Sequence, residues 1–432
     1  MVLNFAVSNY RSIRDKQVFS MVPVQRVKEH KDNLICLENG TRLLKTAMLY
    51  GRNASGKTNI LRGLEALKDF VSQSSDYKID QKIPHYQPFK LDPSCLLKPT
   101  QFEIDFLAHD GMRYQYGVSF LRDRILTESL VFYPRKQPAK LFKRESGKEM
   151  DFGIYLKGDK RGVERQLADN VLFLSKGANS NIEQLKQPYL FFKTYLFTTL
   201  GLQPFFETDL ILSYTSMIAD KKDPYFSTRN VGKLIRVADT GIDSISVNEI
   251  PEEKIALPPN ISEEKRKRIL RQLKYEIKTI HKMFAEGKPV DETSFNIWEE
   301  SAGTIKLLAI GAMMLDALGD GTFLVVDELD KGLHPLLTKA LIRLFHNAKT
   351  NLKNSQLLFA THDVSLLDNS LLRRDQIWFT EKEGDGATKL YSLSDIRGVR
   401  KELPFEKWYM SGRFGATPSI NELELVLEPE DE

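Results

Sequence analysis

The sequence predicts an α/β fold: helices flanking a sheet, an antiparallel N-terminal β-subdomain in front, and an inserted, mostly helical lobe. Three observations carry this. LLKTAMLY (43 to 50) is a compact apolar run that stops at Gly51, and NILRGLEALKDFV follows with apolar residues at helical spacing, giving strand, glycine loop and helix. TQFEIDFLAHDGMRYQYGVSFLRDRILTESLVFY (100 to 133) alternates with period 2 and turns at HDG, which predicts three antiparallel strands. Towards the other end, the helix IKLLAIGAMMLDAL (305 to 318), the strand FLVVDE, another helix, the strand QLLFATHD and a last strand IWFT restore α/β alternation.

The remaining elements follow in order. VLNFAV and QVFSMVPV alternate as strands within the first fifty residues. From Pro134 the composition changes: RKQPAKLFKRESGKEM is basic and weakly patterned, and 151 to 240 mixes short helical segments with Gly, Asn and Asp turns. YLFFKTYLFTTLGLQPFF (189 to 206) is interrupted by Lys193, Gln203 and Pro204, which makes it a buried helix and not a bilayer span. NISEEKRKRILRQLKYEIKTI (260 to 280) puts Ile269, Leu273, Ile277 and Ile280 on one helical face; its charges form a solvated face or a basic arm. HKMFAEGKPVDETSFNIW reads as a hairpin, and NELELVLEPEDE as a frayed acidic tail. The resulting divisions are 1–133, a lobe with the glycine loop; 134–280, the inserted lobe; 281–400, a second α/β lobe; and 401–432, an extension and tail.

Composition sets outer bounds. At 432 residues and 41% hydrophobic content the chain has room for two or three packed lobes, and a net charge of +4 does not by itself imply nucleic-acid binding. Cys36 and Cys95 make neither a disulfide framework nor a zinc spacing, and MVLNFAVSNYRS has no basic region followed by an apolar core. The expectation is a cytoplasmic protein with no membrane partner.

GRNASGKT (51 to 58) fits G-x-x-x-x-G-K-[ST] in full: Gly51, Arg52, Asn53, Ala54, Ser55, Gly56, Lys57, Thr58, with Asn59 entering the helix. Glycines let backbone N–H groups turn inward around phosphate oxygens, and the helix that follows adds its positive end. Lys57 would reach the β- and γ-phosphates of ATP, and Thr58 would place its hydroxyl on Mg²⁺. FLVVDELDKGLHP (323 to 335) ends an apolar strand in two carboxylates; Asp327 then orders magnesium and Glu328 polarises water for attack on the γ-phosphate. ESAGT (300 to 304) is either a second anion-binding turn or an ordinary helix cap, and His362 in LLFATHD either a phosphate sensor or a strand-end histidine. Their order relative to both phosphate motifs favours the functional readings. No N-K-x-D base-reading motif points to guanine.

The series GRNASGKT, ESAGT, FLVVDELDKGLHP, FATHD resembles the ABC-type ATPase head shared by SMC proteins, RecF-like proteins and double-strand-break repair ATPases. The resemblance implies two heads clamping two ATP molecules head to tail, with Ser301 and Gly303 reaching the nucleotide of the opposite head and His362 acting as the switch histidine. NYRSI (9 to 13) resembles the opening N-F-[KR]-S of those heads, which puts Arg11 and Ser12 near the adenine; Gln87 in HYQPFKL is either a Q-loop glutamine at the metal or an exposed amide. The signature departs from LSGGQ, and His334 stands where such heads carry a D-loop aspartate. ESAGT, DELDKGLHP and the closing MSGRFGATPSI look more like the compact AAA-type ATPases of the RloA-like and OLD-like group, bacterial proteins often encoded in phage-defence loci beside a nuclease.

That likeness implies an ATP-hydrolysing switch, a homodimer or larger homo-oligomer, that controls a separate effector, a nuclease or toxin. About seventy residues follow His362, too few for a Toprim nuclease, so any nuclease is expected on another polypeptide. The alternative is a RecF- or SMC-like clamp, with Arg135, Lys136, Lys140, Lys143, Arg144 and Lys265 to Arg268 on DNA phosphates.

Overall fold

Chain segments that are apolar on both faces form the central strands, because a strand covered on both sides exposes no face to water. The structure, a computed structural model, describes residues 1–135, 137–200, 206–219, 227–238, 241–258, 261–400 and 402–417. Lys136 and the acidic end beyond Thr417 lie outside them, as does the side chain of Arg268.

The strands are β1 (Val2–Ser8), β2 (Gln17–Ser20), β3 (Leu34–Cys36), β4 (Arg42–Leu44), β5 (Thr46–Tyr50), β6 (Thr100–Leu107), β7 (Arg113–Phe120), β8 (Ile125–Tyr133), β9 (Ala139–Glu145) and β10 (Asp151–Phe152). There follow β11 (Leu196–Thr198), β12 (Ile242–Glu249), β13 (Tyr275–Ala285), β14 (Lys288–Asn296), β15 (Phe323–Val326), β16 (Gln356–Ala360), β17 (Ile377–Lys382) and β18 (Thr388–Ser392). The helices are α1 (Lys57–Gln73), α2 (Lys160–Arg165), α3 (Phe173–Asn179), α4 (Glu183–Leu190), α5 (Phe206–Ala219), α6 (Thr228–Val237), α7 (Glu263–Gln272), α8 (Ala302–Asp320), α9 (Pro335–His346) and α10 (Phe405–Met410).

The central sheet runs β11–β15–β16–β5–β17–β18, parallel except for β18. Alternation along its strands feeds two cores. Ala47, Leu49, Val325, Leu358 and Ala360 face α1 and the antiparallel sheet β10–β9–β8–β7–β6–β1–β2, whose Phe5, Phe102 and Phe106 close that side. Met48, Tyr50, Leu324, Val326, Leu357 and Phe359 face α8 and α9 on the other. Gln356 joins the two sheets at their base: its amide oxygen accepts from Val2 N at 2.7 Å, and its NH₂ donates to the carbonyls of Val2 and Leu44. By length and composition α8 passes for a membrane span, yet most of it is buried in the second core.

The three strands predicted over 100–133 form as β6 to β8, and the hairpin predicted over 281–298 forms from β13 and β14, its first strand beginning earlier than expected, at Tyr275. The helix predicted through 260–280 stops at Gln272, and KYEIKTI becomes β13. Period 2 wins there, because Ile277 and Thr279 are buried on one face while β12 and β14 pair on either side. The helix predicted over 189–206 also breaks: α4 ends at Leu190, Phe191–Tyr195 forms a wider turn, and β11 follows beside β15. There Phe191 and Phe192 pack against Phe106, a tertiary contact that periodicity does not reveal. QVFSMVPV is a strand only at Gln17–Ser20. The weakly patterned basic stretch supplies β9, and β10 just after it, and both extend the antiparallel sheet.

Glu128 of β8 ties that sheet to α3. It is fully buried, and its carboxylate accepts from Phe173 N at 2.7 Å, Leu174 N at 3.0 Å and Tyr116 OH at 3.0 Å, with Arg144 Nη1 at 3.9 Å. Glu128→Ala leaves two buried amides without their acceptor and a buried guanidinium without its counter-charge. The expected loss is about 3–5 kcal/mol of stability in urea denaturation; a loss below about 1 kcal/mol contradicts this reading.

Candidate functional site

Parallel strands bring their carboxyl ends to one edge, and the loops leaving β15, β16 and β5 are neighbours there because those strands are adjacent. They carry Asp327–Glu328, Thr361–His362 and the 51–58 loop respectively.

The glycine loop is shaped by its neighbours before any ligand enters. A Cβ on Gly51 (φ +152°) would lie 2.4 Å from the Thr380 carbonyl, and one on Gly56 (φ +112°) 2.2 Å from Thr388 Oγ1. Ser55 Oγ bonds Thr380 Oγ1 at 2.6 Å, and Thr388 Oγ1 donates to the Ser55 carbonyl at 2.9 Å. Ala54 takes up a left-handed φ of 60° that non-glycine residues seldom adopt. Arg52 and Asn53 complete the loop at its rim.

Lys57 is the centre of the arrangement. Its side chain is buried, yet the ammonium's partners are two carbonyls, Gly51 at 2.7 Å and Arg52 at 3.2 Å, and the imidazole Nδ1 of His362 at 3.5 Å. Burial lowers its pKa to about 8, against the opposing pull of Asp327 and Glu328. Burial, and then Lys57, also lowers the pKa of His362, so the imidazole is neutral at pH 7 and can accept. Tyr50 OH donates to the His362 carbonyl at 3.1 Å, fixing that loop to the end of β5.

The two adjacent carboxylates are separated by backbone conformation. Glu328 has φ 50°, and this left-handed residue turns the chain as it leaves β15. Leu329 N donates to Ala360 O at 3.1 Å, which holds the turn to β16. Asp327 points inward and accepts from Thr58 Oγ1 at 2.8 Å, while Glu328 is half-exposed and pairs with Lys331 at 3.2 Å. Burial raises the pKa of Asp327; the Thr58 bond opposes that shift and the Glu328 charge adds to it. Among the described residues no group of three or more His, Cys, Asp or Glu could hold a metal alone. A hydroxyl and a carboxylate side by side do fit magnesium, which takes one or two protein oxygens and completes its shell with phosphate and water.

Arg11, Ser12, Asn59 and Gln87 line one cleft beside the start of α1, with Lys382. Asn59 Nδ2 donates to Ser12 Oγ at 2.6 Å, Ser12 Oγ bonds Thr388 Oγ1 at 2.8 Å, and Arg11 N donates to the Gln87 carbonyl at 2.6 Å. The Gln87 side chain donates to Pro84 O at 3.4 Å and makes no hydrogen bond to Thr58 or Asp327.

Ser301 is the N-cap of α8, its Oγ accepting from Thr304 N at 3.1 Å. A 19-residue helix rises about 28 Å and a four-residue strand about 13 Å, so α8, which enters β15 through Gly321, begins well past the edge where the phosphate loop sits. A Cβ on Gly303 would lie 3.3 Å from the Gly332 carbonyl, so the ESAGT turn rests on the loop after Glu328. Neither residue bonds to the 51–58 loop of its own chain. His334 caps α9, its Nδ1 accepting from Leu336 N.

The basic residues considered for DNA divide. Arg144 is buried and donates to the carbonyls of Val171 and Ala168, which removes it from any DNA surface. Lys140 pairs with Asp151 and Lys143 with Glu145, whereas Arg135, Lys265, Arg266 and Lys267 are exposed. Sequence reasoning passed over Thr380, Thr388 and Tyr50, since threonines within a strand and a strand-end tyrosine carry no local signal.

A family model described as "AAA domain, putative AbiEii toxin, Type IV TA system" matches residues 47–368. The chain belongs to this family. The AAA-domain match spans both phosphate motifs, the signature turn and His362. Among solved structures the chain is similar to an SMC head bound to the C-terminal winged-helix domain of ScpA (TM-score 0.45, 15% identity, 90% of this chain and 97% of that one). It is also similar to the SMC head domain from Thermotoga maritima (0.40, 11%, 90% and 98%) and to the recombination mediator RecF with an ATP analogue (0.32, 10%, 90% and 98%). No curated protein matches the chain.

Protonated Lys57 is the form that attracts phosphate. With its pKa lowered to about 8 in the free protein, ATP affinity is expected to hold steady below about pH 7.5 and to fall as pH rises through 8, by up to about tenfold per unit. Equilibrium dialysis across that range checks it; affinity unchanged up to about pH 9.5 contradicts it.

Proposed function

We propose that this AAA-domain chain is an ATP-driven conformational switch: it binds ATP with magnesium, closes as a head-to-tail dimer and hydrolyses the nucleotide to reopen. The observation that carries this is the buried Lys57 ammonium, held by the carbonyls of the glycine loop beside His362 and next to the Thr58–Asp327 pair. Gly51 to Asn59 wrap the phosphates, Arg11 and Ser12 flank the base, and Lys57 neutralises charge at the β- and γ-phosphates. Thr58 and Asp327, with Gln87 as a candidate third partner, would hold magnesium. That ion, when bound, withdraws charge from the phosphates during transfer. Glu328, partly solvated and turned away from Thr58, is the base that orients and deprotonates the attacking water. Neutral His362, beside Lys57, reads whether the terminal phosphate is present.

Ser301 and Gly303 support the dimer. They form a helix N-terminus beyond the nucleotide edge, beside the loop that follows Glu328, and a second copy's phosphate is what such a turn fits. The output is control of a separate effector, a nuclease or toxin in bacterial phage defence, a reading in keeping with the toxin–antitoxin system named in the family description. In a DNA clamp like RecF the exposed Arg135 and Lys265 to Lys267 would meet phosphates; the burial of Arg144 and the pairing of Lys140 and Lys143 weigh against it.

Glu328→Gln keeps the shape of the site and removes the base. It is expected to lower ATP turnover by at least about 100-fold and to accumulate an ATP-dependent dimer in light scattering. A variant that stays monomeric at saturating ATP sinks the switch. Ser301→Arg is expected to retain one ATP per chain while losing both dimer and turnover; unchanged hydrolysis would mean that the site works alone.

A further inference from the structure

Outside the matched residues 47–368, the segment from Phe405 to Thr417 folds back onto the phosphate loop. Its contact is one hydrogen bond at a telling place. The Ala416 carbonyl accepts from Arg52 N at 3.2 Å, and the carbonyl of that same Gly51–Arg52 peptide plane accepts from Lys57 Nζ at 2.7 Å. A single rigid peptide unit is therefore bonded at one end to the C-terminal segment and at the other to the lysine. Hydrogen bonds through a shared amide polarise one another, so the first orients and strengthens the second.

The segment is built to present that carbonyl. Gly412, Gly415 and Ala416 all have left-handed φ values (75°, 72° and 55°), a costly conformation for alanine that persists only when its surroundings over-determine it. Side chains do so from three elements. Tyr409 OH of α10 donates to the Ala416 carbonyl at 2.9 Å, Tyr391 OH of β18 donates to the Phe414 carbonyl at 2.8 Å, and Glu381 of β17 accepts from Ala416 N at 3.4 Å. The Tyr409 ring stacks on Phe379 at 5.9 Å and meets Tyr50, the residue before Gly51, edge-on at 4.8 Å. A Cβ on Gly415 would lie 2.7 Å from Tyr391 OH at a left-handed φ of 72°, so a larger residue there must displace the Tyr391 hydroxyl or the turn it holds.

We propose that the C-terminal turn Gly412–Thr417 is a positioning element of the nucleotide site, its Ala416 carbonyl setting the Gly51–Arg52 peptide that holds Lys57. Tyr409 and Tyr391 are positioning residues, acting through Ala416 and never on the nucleotide. The inference rests on the ATP-binding reading above and adds to it a part of the chain that the two phosphate motifs do not include.

The test uses the full-length chain and two variants. Tyr409→Phe keeps both ring contacts and removes one donor to Ala416; Gly415→Ala drives a methyl group against Tyr391 OH and disturbs its bond to the Phe414 carbonyl. Equilibrium ATP binding, steady-state turnover and hydrogen exchange of the peptide spanning residues 50–56 are measured beside the thermal midpoint. The expected result is a rise in KM and Kd for ATP of about 3- to 10-fold for Tyr409→Phe and larger for Gly415→Ala, with kcat within about twofold and faster exchange at Arg52. A merely structural role would lower the thermal midpoint while leaving ATP affinity and Arg52 exchange as in the parent, and that outcome overturns the proposal. If the parent chain binds no ATP, the nucleotide reading falls and this inference with it. If the parent binds and both variants bind equally well, only the latch falls.

Discussion

A positive charge taken out of water with carbonyls, and not a carboxylate, as its nearest oxygens is the constraint on which the rest of this structure depends. Desolvating an ammonium costs several kcal/mol. The fold meets that cost with the carbonyls of Gly51 and Arg52, the imidazole of His362 and the more distant charges of Asp327 and Glu328. Most features of the site serve to keep Lys57 there. Thr380 and Thr388 leave no room for side chains at Gly51 and Gly56, His362 is kept neutral beside it, and Asp327 is drawn off to Thr58 and does not neutralise it.

Two packed cores keep this edge rigid. Each parallel strand alternates its residues between the antiparallel sheet with α1 on one side and α8 with α9 on the other, so no strand can slip by one residue without exchanging its faces. The same packing aims α8. Its length exceeds that of the strand it feeds, and its N-terminal turn stands beyond the edge next to the loop that carries Glu328. The glycine loop, Asp327 and His362 thus meet at one edge of the sheet, and the ESAGT turn rests on the loop that follows Glu328.

Much of this was legible from the sequence because the chemistry is local. GRNASGKT fixes loop and helix within eight residues, and FLVVDE announces a buried strand by composition alone. The helix at 305–318 and the strands at 100–133 follow from clear periodicities. What escaped was non-local. KYEIKTI is compatible with helix or strand until β12 and β14 are present to pair with it. The break after Leu190 depends on phenylalanines packing against β6. Left-handed Glu328 could not be read from DEL, which has no glycine to mark the turn. The closing MSGRFGATPSI was visible as a motif, but only the bond of its Ala416 carbonyl to Arg52 points to what it does.

The role of the buried Lys57 ammonium is tested most directly by isothermal titration of the intact chain with ATP in magnesium, beside Lys57→Ala. The account predicts saturable binding of one ATP per chain, lost when the ammonium is removed while the fold is kept. Equal binding by both proteins, or no binding by the intact folded chain, would contradict it.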